Sequence, residues 1–73
     1  MRVPNHEEMT ALEMLVDNCG LDEVLIALDV ICHDKAMHIR ASYDNAGLSQ
    51  SWKRAATACL KAAQSSAVTA ISK

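Results

Sequence analysis

One uninterrupted stretch, Asp22 to Tyr43, constrains the fold more than any other feature of the sequence. It runs for 22 residues without glycine or proline, and its apolar side chains recur at helical spacing. We therefore predict one helix over about residues 22–44, roughly 33 Å long at about 1.5 Å per residue. Its main apolar face consists of Leu21, Val24, Leu25, Leu28, Ile31, Cys32, Ala36, Ile39 and Tyr43.

A second apolar set lies on the opposite side of this helix and comprises Ile26, Val30, Met37 and Ala41. A helix that is apolar on two sides is normally buried on two sides, and the rest of a 73-residue chain is too small to cover both. We predict that these four residues form the interface of a homodimer or a higher homo-oligomer. The alternative is that they stay individually exposed, as single apolar side chains often do.

A first helix is predicted over about residues 6–19. Asn5 is suited to cap its free amides, and Glu8 follows three residues later, which is the pattern of a capping box. Gly20 suits the left-handed position just after its last turn.

A third helix is predicted over about residues 49–70, with Ser49 or Asn45 as its cap. It carries one large residue, Trp52, followed mostly by small ones, which let a neighbouring backbone approach closely. The predicted fold is all-α, with three helices in a single domain over residues 1–73. We expect a helical hairpin or bundle that oligomerisation completes.

The three cysteines, Cys19, Cys32 and Cys59, are odd in number and contain no Cys-x-x-Cys pair. This pattern is typical of reduced thiols in a cytosolic protein. The first residues lack the apolar stretch of a signal peptide, and the longest aliphatic run, Val24 to Leu28, is far too short to span a bilayer. We expect a cytoplasmic protein that does not enter the membrane.

Charge is unevenly distributed along the chain. Residues 1–31 contain seven acidic residues and one basic residue, a net charge of −6, whereas residues 32–73 contain six basic and two acidic residues, a net charge of +4. Two such chains can pair antiparallel, with the acidic part of one against the basic part of the other. The alternative is that these are simply solvated helix faces.

Lys35 lies on the main apolar face of the second helix, between Ile31 and Ile39. Burying an unpaired ammonium group is costly. We therefore expect that its tip reaches solvent, or that it pairs with Glu13, Asp17 or an acidic residue of a second chain.

Four residues of the second helix, Cys32, His33, Asp34 and His38, have side chains that bind metals elsewhere. Adjacent residues on a helix point about 100° apart, and the five-residue spacing of His33 and His38 does not put them on one face. The spacing of Asp29 with His33, and of Asp34 with His38, favours surface ion pairs. We predict no metal, no cofactor and no enzymatic activity.

Two small clusters are candidates for binding. Trp, Tyr and Arg dominate interaction hot spots, so the residues predicted to contact a protein partner are Arg40, Tyr43, Trp52 and Arg54. A pocket for a small anionic ligand between subunits is an alternative, and its residues are Lys35, His38 and Arg40.

The segment Ala46–Arg54 resembles the turn and recognition-helix start of a helix-turn-helix protein. Two positions depart from that pattern, since Tyr43 stands where a small residue is expected and Lys53 where an aliphatic core residue is expected. Nucleic-acid binding through the basic second half is therefore an alternative function.

The stretches Ile31–Arg40 and Trp52–Ala56 resemble short, uncharacterised helical proteins of bacteria and their phages. This resemblance covers about a third of the chain and implies no activity. From the residues, we predict a small helical homo-oligomer that binds an unidentified protein partner as an adaptor, regulator or inhibitor.

Overall fold

The computed structural model describes residues 2–43 and 45–71, without the side chain of Tyr43. These residues form helices and no strand, which confirms the predicted all-α fold. In chain order, the helices are α1 (His6–Cys19), α2 (Leu21–Tyr43), α3 (Ala46–Ala63) and α4 (Ser66–Ile71). The prediction of three helices is wrong, because the third predicted helix is divided into α3 and α4.

The first turn of α1 carries the predicted capping box. The Asn5 side-chain oxygen accepts a hydrogen bond from the Glu8 amide at 2.8 Å, and the Glu8 carboxylate accepts one from the Asn5 amide at 3.0 Å. Arg2, which precedes the helix, contacts the same carboxylate, with its Nη2 3.1 Å from Oε2. Two of the free amides at the helix start are thereby satisfied, and α1 begins where it was predicted to begin.

Gly20 alone separates α1 from α2. Its φ of 93° is positive as predicted, but its ψ of 150° is extended and not left-handed helical. The Gly20 amide donates to the Val16 carbonyl oxygen at 2.9 Å, and α2 starts at the next residue. The chain therefore turns a sharp corner here, and α1 packs against α2 alone among the described helices.

The helices α2 and α3 pack against each other in antiparallel orientation and form the centre of the fold. Ser49, near the start of α3, bonds to Ala36 in the second half of α2, whereas Cys59, further along α3, lies beside Cys32, which is earlier in α2. All buried residues in the described part are small: Cys32, Ala36, Ser49, Ala56 and Ala63. Small side chains let the two backbones approach closely, as predicted.

The break between α3 and α4 lies at Gln64 and Ser65. The Ser65 amide donates to the Ala62 carbonyl oxygen at 3.1 Å, which closes a tighter turn. The Ser65 hydroxyl oxygen accepts a hydrogen bond from the Val68 amide at 3.3 Å. Ser65 thus caps a new helix. The redirected α4 packs on both α2 and α3.

The folded chain exposes more surface than a compact protein of its mass. Its accessible surface is 5650 Å², whereas a compact monomer of 7.9 kDa exposes about 4,400 Å². Its radius of gyration is 14.0 Å, against about 11 Å for a typical domain of this length. The excess of about 1,200 Å² shows that the four helices cover one another incompletely.

Candidate interaction surfaces

An open apolar groove of about 580 Å³ lies between α1 and α2. Its apolar residues are spaced three or four apart on each helix, so that each set forms one stripe. We call this surface the α1–α2 groove, and it is lined by Leu12, Leu15 and Cys19 of α1 and by Glu23, Val24, Ala27, Leu28 and Ile31 of α2.

The groove includes three residues of the predicted main apolar face, Val24, Leu28 and Ile31. Leu28 is 39% exposed and Ile31 is 49% exposed, although both belong to the predicted main apolar face. The expectation that this whole face would be buried is wrong, because α3 covers only the neighbouring stripe that contains Cys32 and Ala36. On the other side, α1 lines the groove and leaves Leu28 and Ile31 exposed.

Lys35 continues the groove stripe of α2 beyond Ile31. It lines an adjoining depression of about 410 Å³ together with Ile31, Asp34 and His38. Its side chain is exposed, and it forms no ion pair with Glu13, Asp17 or any other described residue. The exposed side chain agrees with the expectation that its tip reaches solvent and not with the alternative of pairing within the chain. Pairing with an acidic residue of a second chain stays a prediction.

A second apolar surface lies on the side of α2 that faces away from the groove. We call it the back row, and it consists of Ile26, Val30, Met37 and Ala41. All four are exposed, with Val30 at 53% and Met37 at 70%. Within the described residues, α3 and α1 leave this row uncovered, as the sequence pattern indicated. Its role as an oligomer interface stays a prediction.

The predicted partner-binding residues occupy different surroundings. Arg40 lines a shallow depression with Met37, Ala41 and Ser49, and the basic residue that joins it there is Lys53, not Arg54. Arg54 is exposed and Trp52 is half-buried. The side chain of Tyr43 lies outside the described residues.

The three residues of the predicted anionic-ligand pocket line two separate depressions. Lys35 and His38 share one, whereas Arg40 lines the other. Lys35 and Arg40 are five residues apart, which puts them about 140° apart around the helix axis.

The thiols of Cys32 and Cys59 lie near each other between α2 and α3. Burial raises the pKa of the Cys32 thiol, and the nearby Cys59 and Asp29 raise it further. Because the thiolate is the reactive form of cysteine, this environment makes Cys32 a packing residue and a poor nucleophile.

The Asp29 and His33 side chains lie within ion-pair distance, as their spacing predicted, with 3.2 Å between Oδ1 and Nε2, but this Oδ1 accepts no hydrogen bond from the described residues. Among the described residues, no group of three or more His, Cys, Asp or Glu side chains is placed to hold a metal ion.

The arrangement of α2 and α3 differs from a helix-turn-helix. A recognition helix crosses its neighbour at about 90–120°, whereas α3 runs antiparallel along α2. Gly47 lies in the first turn of α3 and not in the turn before it, because Asn45 caps this helix through a 3.0 Å bond from the Leu48 amide. Ser49, the other predicted cap, is buried in the helix contact instead.

The chain matches no protein-family model, no curated protein and no solved structure. The resemblance to short bacterial and phage proteins therefore stays a prediction. In the described part of the chain, none of the helices combines the length and the apolar character that crossing a membrane requires.

Sequence reasoning missed the α1–α2 groove. Leu28 and Ile31 were placed on the main apolar face of the second helix, but that face was assumed to be buried. The composition of the third predicted helix could have indicated the groove. A helix with mainly alanines on its packing face has too little side-chain volume to cover two stripes of leucine and isoleucine.

Proposed function

We propose that this protein is a small helical homo-oligomer that binds another macromolecule as an adaptor, regulator or inhibitor, without a catalytic step of its own. One observation carries the proposal. The described residues that are buried are all small, whereas large apolar residues such as Leu15, Ile31 and Met37 lie at the surface. A fold of this kind gains most of its hydrophobic stabilisation when another chain covers that surface.

The exposed area is of the size that association requires. A standard protein interface buries about 800 Å² on each partner, and the excess surface of this chain is about 1,200 Å². The chain thus has enough surface for one stable interface.

Two separate apolar surfaces support two kinds of contact. The α1–α2 groove and the back row lie on different sides of α2, so a second copy seated on one leaves the other open. In this proposal, one surface joins copies of the chain and the other contacts the macromolecular partner. Arg40 and Lys53, beside Met37 at the end of the back row, supply the charged rim that interaction surfaces commonly have.

Native mass spectrometry of the purified chain tests the first half of this proposal, and the expected species is a multiple of the 7.9 kDa chain. Affinity capture tests the second half, with the wild-type chain and the V30K/M37K variant as paired baits. A partner retained by the wild type and lost by the variant supports the proposal. A monomeric chain would contradict it, and so would a partner retained equally by both baits.

A further inference from the structure

We propose that the α1–α2 groove is the surface on which a second copy of this chain docks, with the two α2 helices antiparallel across a two-fold axis. This inference rests on the proposed function and identifies its self-association surface. It assigns self-association to the groove in place of the back row, which is then free for the other partner.

The shape of the two surfaces favours the groove. The groove is concave, and its apolar lining comes from two helices, so that a helix laid into it is contacted from both sides. The back row is a single line of side chains on one helix. His33 and Asp34 lie between Val30 and Met37 on the same side of α2, and these polar side chains interrupt the apolar line.

The spacing along α2 also fits a helix partner. Val24, Leu28, Ile31 and Lys35 follow one another at intervals of four, three and four residues, which is the spacing of the seam between two packed helices. In an antiparallel pair centred between residues 29 and 30, Leu28 of each copy lies against Ile31 of the other. Leu12 and Leu15 of α1 then flank this seam.

Charges at the two ends of the seam point to a second copy as the occupant. On α2, Glu23 lies at one end of the seam and Lys35 at the other, about 18 Å apart along the helix. Both are exposed, and neither forms an ion pair with another described residue. The antiparallel pairing puts Lys35 of one copy against Val24 of the other, within reach of the adjacent Glu23, and two-fold symmetry produces this pair twice.

The charge of the whole chain agrees with this orientation. A parallel pair would bring together two acidic segments of net charge −6 each, whereas an antiparallel pair sets residues 1–31 of each copy towards the basic residues 32–73 of the other. Charge complementarity of this kind selects orientation. A second copy supplies it without any further partner.

Charge reversal tests the inference directly. We expect E23K and K35E, each alone, to raise the dimer dissociation constant about tenfold or more, because each places two like-charged pairs across the axis. The double variant E23K/K35E restores opposite charges and should return the dissociation constant to within about threefold of the wild type. Light scattering coupled to gel filtration over a dilution series measures these constants, and far-UV circular dichroism verifies that each variant is folded.

The matched control is V30K/M37K, which places charges on the back row. We expect this variant to dimerise like the wild type. A dimer that survives E23K and K35E but is lost in V30K/M37K would overturn the groove assignment and leave the homo-oligomer intact. A double variant E23K/K35E that stays dissociated would also overturn it. A wild-type chain that is a monomer would overturn both the inference and the proposed function, and would leave the groove to a partner of another sequence.

Discussion

The Ser49 hydroxyl donates a hydrogen bond to the Ala36 carbonyl oxygen, 3.0 Å away, within the contact between α2 and α3. Ser49 and Ala36 are both buried, so this bond fixes the register of the two helices at the point where their backbones are close. The hydroxyl is shielded from water, and this register supplies its acceptor. The bond therefore specifies one alignment of α3 on α2.

Replacing Ser49 by alanine should lower the free energy of unfolding by about 1 kcal/mol, which is typical for the loss of one buried hydrogen bond. The control is Ser51→Ala, because Ser51 is exposed and bonds only within its own helix, to the Gly47 carbonyl oxygen at 3.2 Å. Urea denaturation measures both variants. Equal destabilisation of the two would contradict the assigned role of Ser49.

Enlarging Ala56 tests how closely α2 and α3 approach. Its side chain is fully buried, so Ala56→Leu should push the helices apart and lower the free energy of unfolding by roughly 1–3 kcal/mol. Ala58→Leu, at an exposed position of the same helix, should change it by less than about 0.5 kcal/mol. Thermal unfolding followed by circular dichroism compares them, and a tolerated Ala56→Leu would show that the contact is loose.

Replacing each of the two glycines by alanine should change the free energy of unfolding in opposite directions. At Gly20, φ is 93° and a Cβ would lie 2.9 Å from the Asp22 carboxylate oxygen, so Gly20→Ala should destabilise the fold by about 1–3 kcal/mol. At Gly47, the nearest atom is 3.7 Å away and the residue is helical, so Gly47→Ala should stabilise the fold by up to about 1 kcal/mol. Urea denaturation of both variants measures these two changes in the free energy of unfolding.

The capping box should make the start of α1 sensitive to acid. Arg2, and then the Asn5 amide, lower the pKa of the Glu8 carboxyl. A carboxyl group with a lowered pKa stabilises the fold above its ordinary pKa of about 4.3, and this contribution is lost as the pH falls from there through the lowered value. Hydrogen exchange of the α1 amides at a series of pH values should show protection declining over that range.

The variant Glu8→Gln should remove this pH dependence, whereas Glu13→Gln, outside the cap, should keep it. Asn5→Ala should remove the other half of the capping box and destabilise α1 by about 1 kcal/mol. An unchanged exchange profile in Glu8→Gln would show that the acid sensitivity of α1 has another source.

Local signals in the sequence were sufficient for α1 and α2, but not for the division of the third predicted helix into α3 and α4. Asn5, Glu8 and Gly20 act on the backbone within a few residues of themselves, so the bounds of α1 follow from them. The single helix over α2 follows likewise from the absence of glycine and proline between residues 22 and 43. Such effects require no knowledge of the rest of the fold.

Features that depend on packing could not be predicted in this way. The sequence allows either Asn45 or Ser49 to cap α3. The structure shows that Ser49 is buried and bonds to the Ala36 carbonyl oxygen instead, a contact that depends on how α2 packs on α3. How α1 is placed against Leu28 and Ile31 depends on the backbone torsions at Gly20, which glycine leaves almost unrestricted. The sequence pattern therefore does not determine whether a groove forms between α1 and α2.

The molar mass of the wild-type chain in solution tests the central claim most directly. Gel filtration with light scattering at tens of micromolar should give about 16 kDa, twice the 7.9 kDa of one chain, or a higher multiple. Dilution should move the mass downwards, as a reversible assembly requires. A constant mass near 8 kDa across the series would contradict the account, because the exposed apolar surface would then remain uncovered by any second copy.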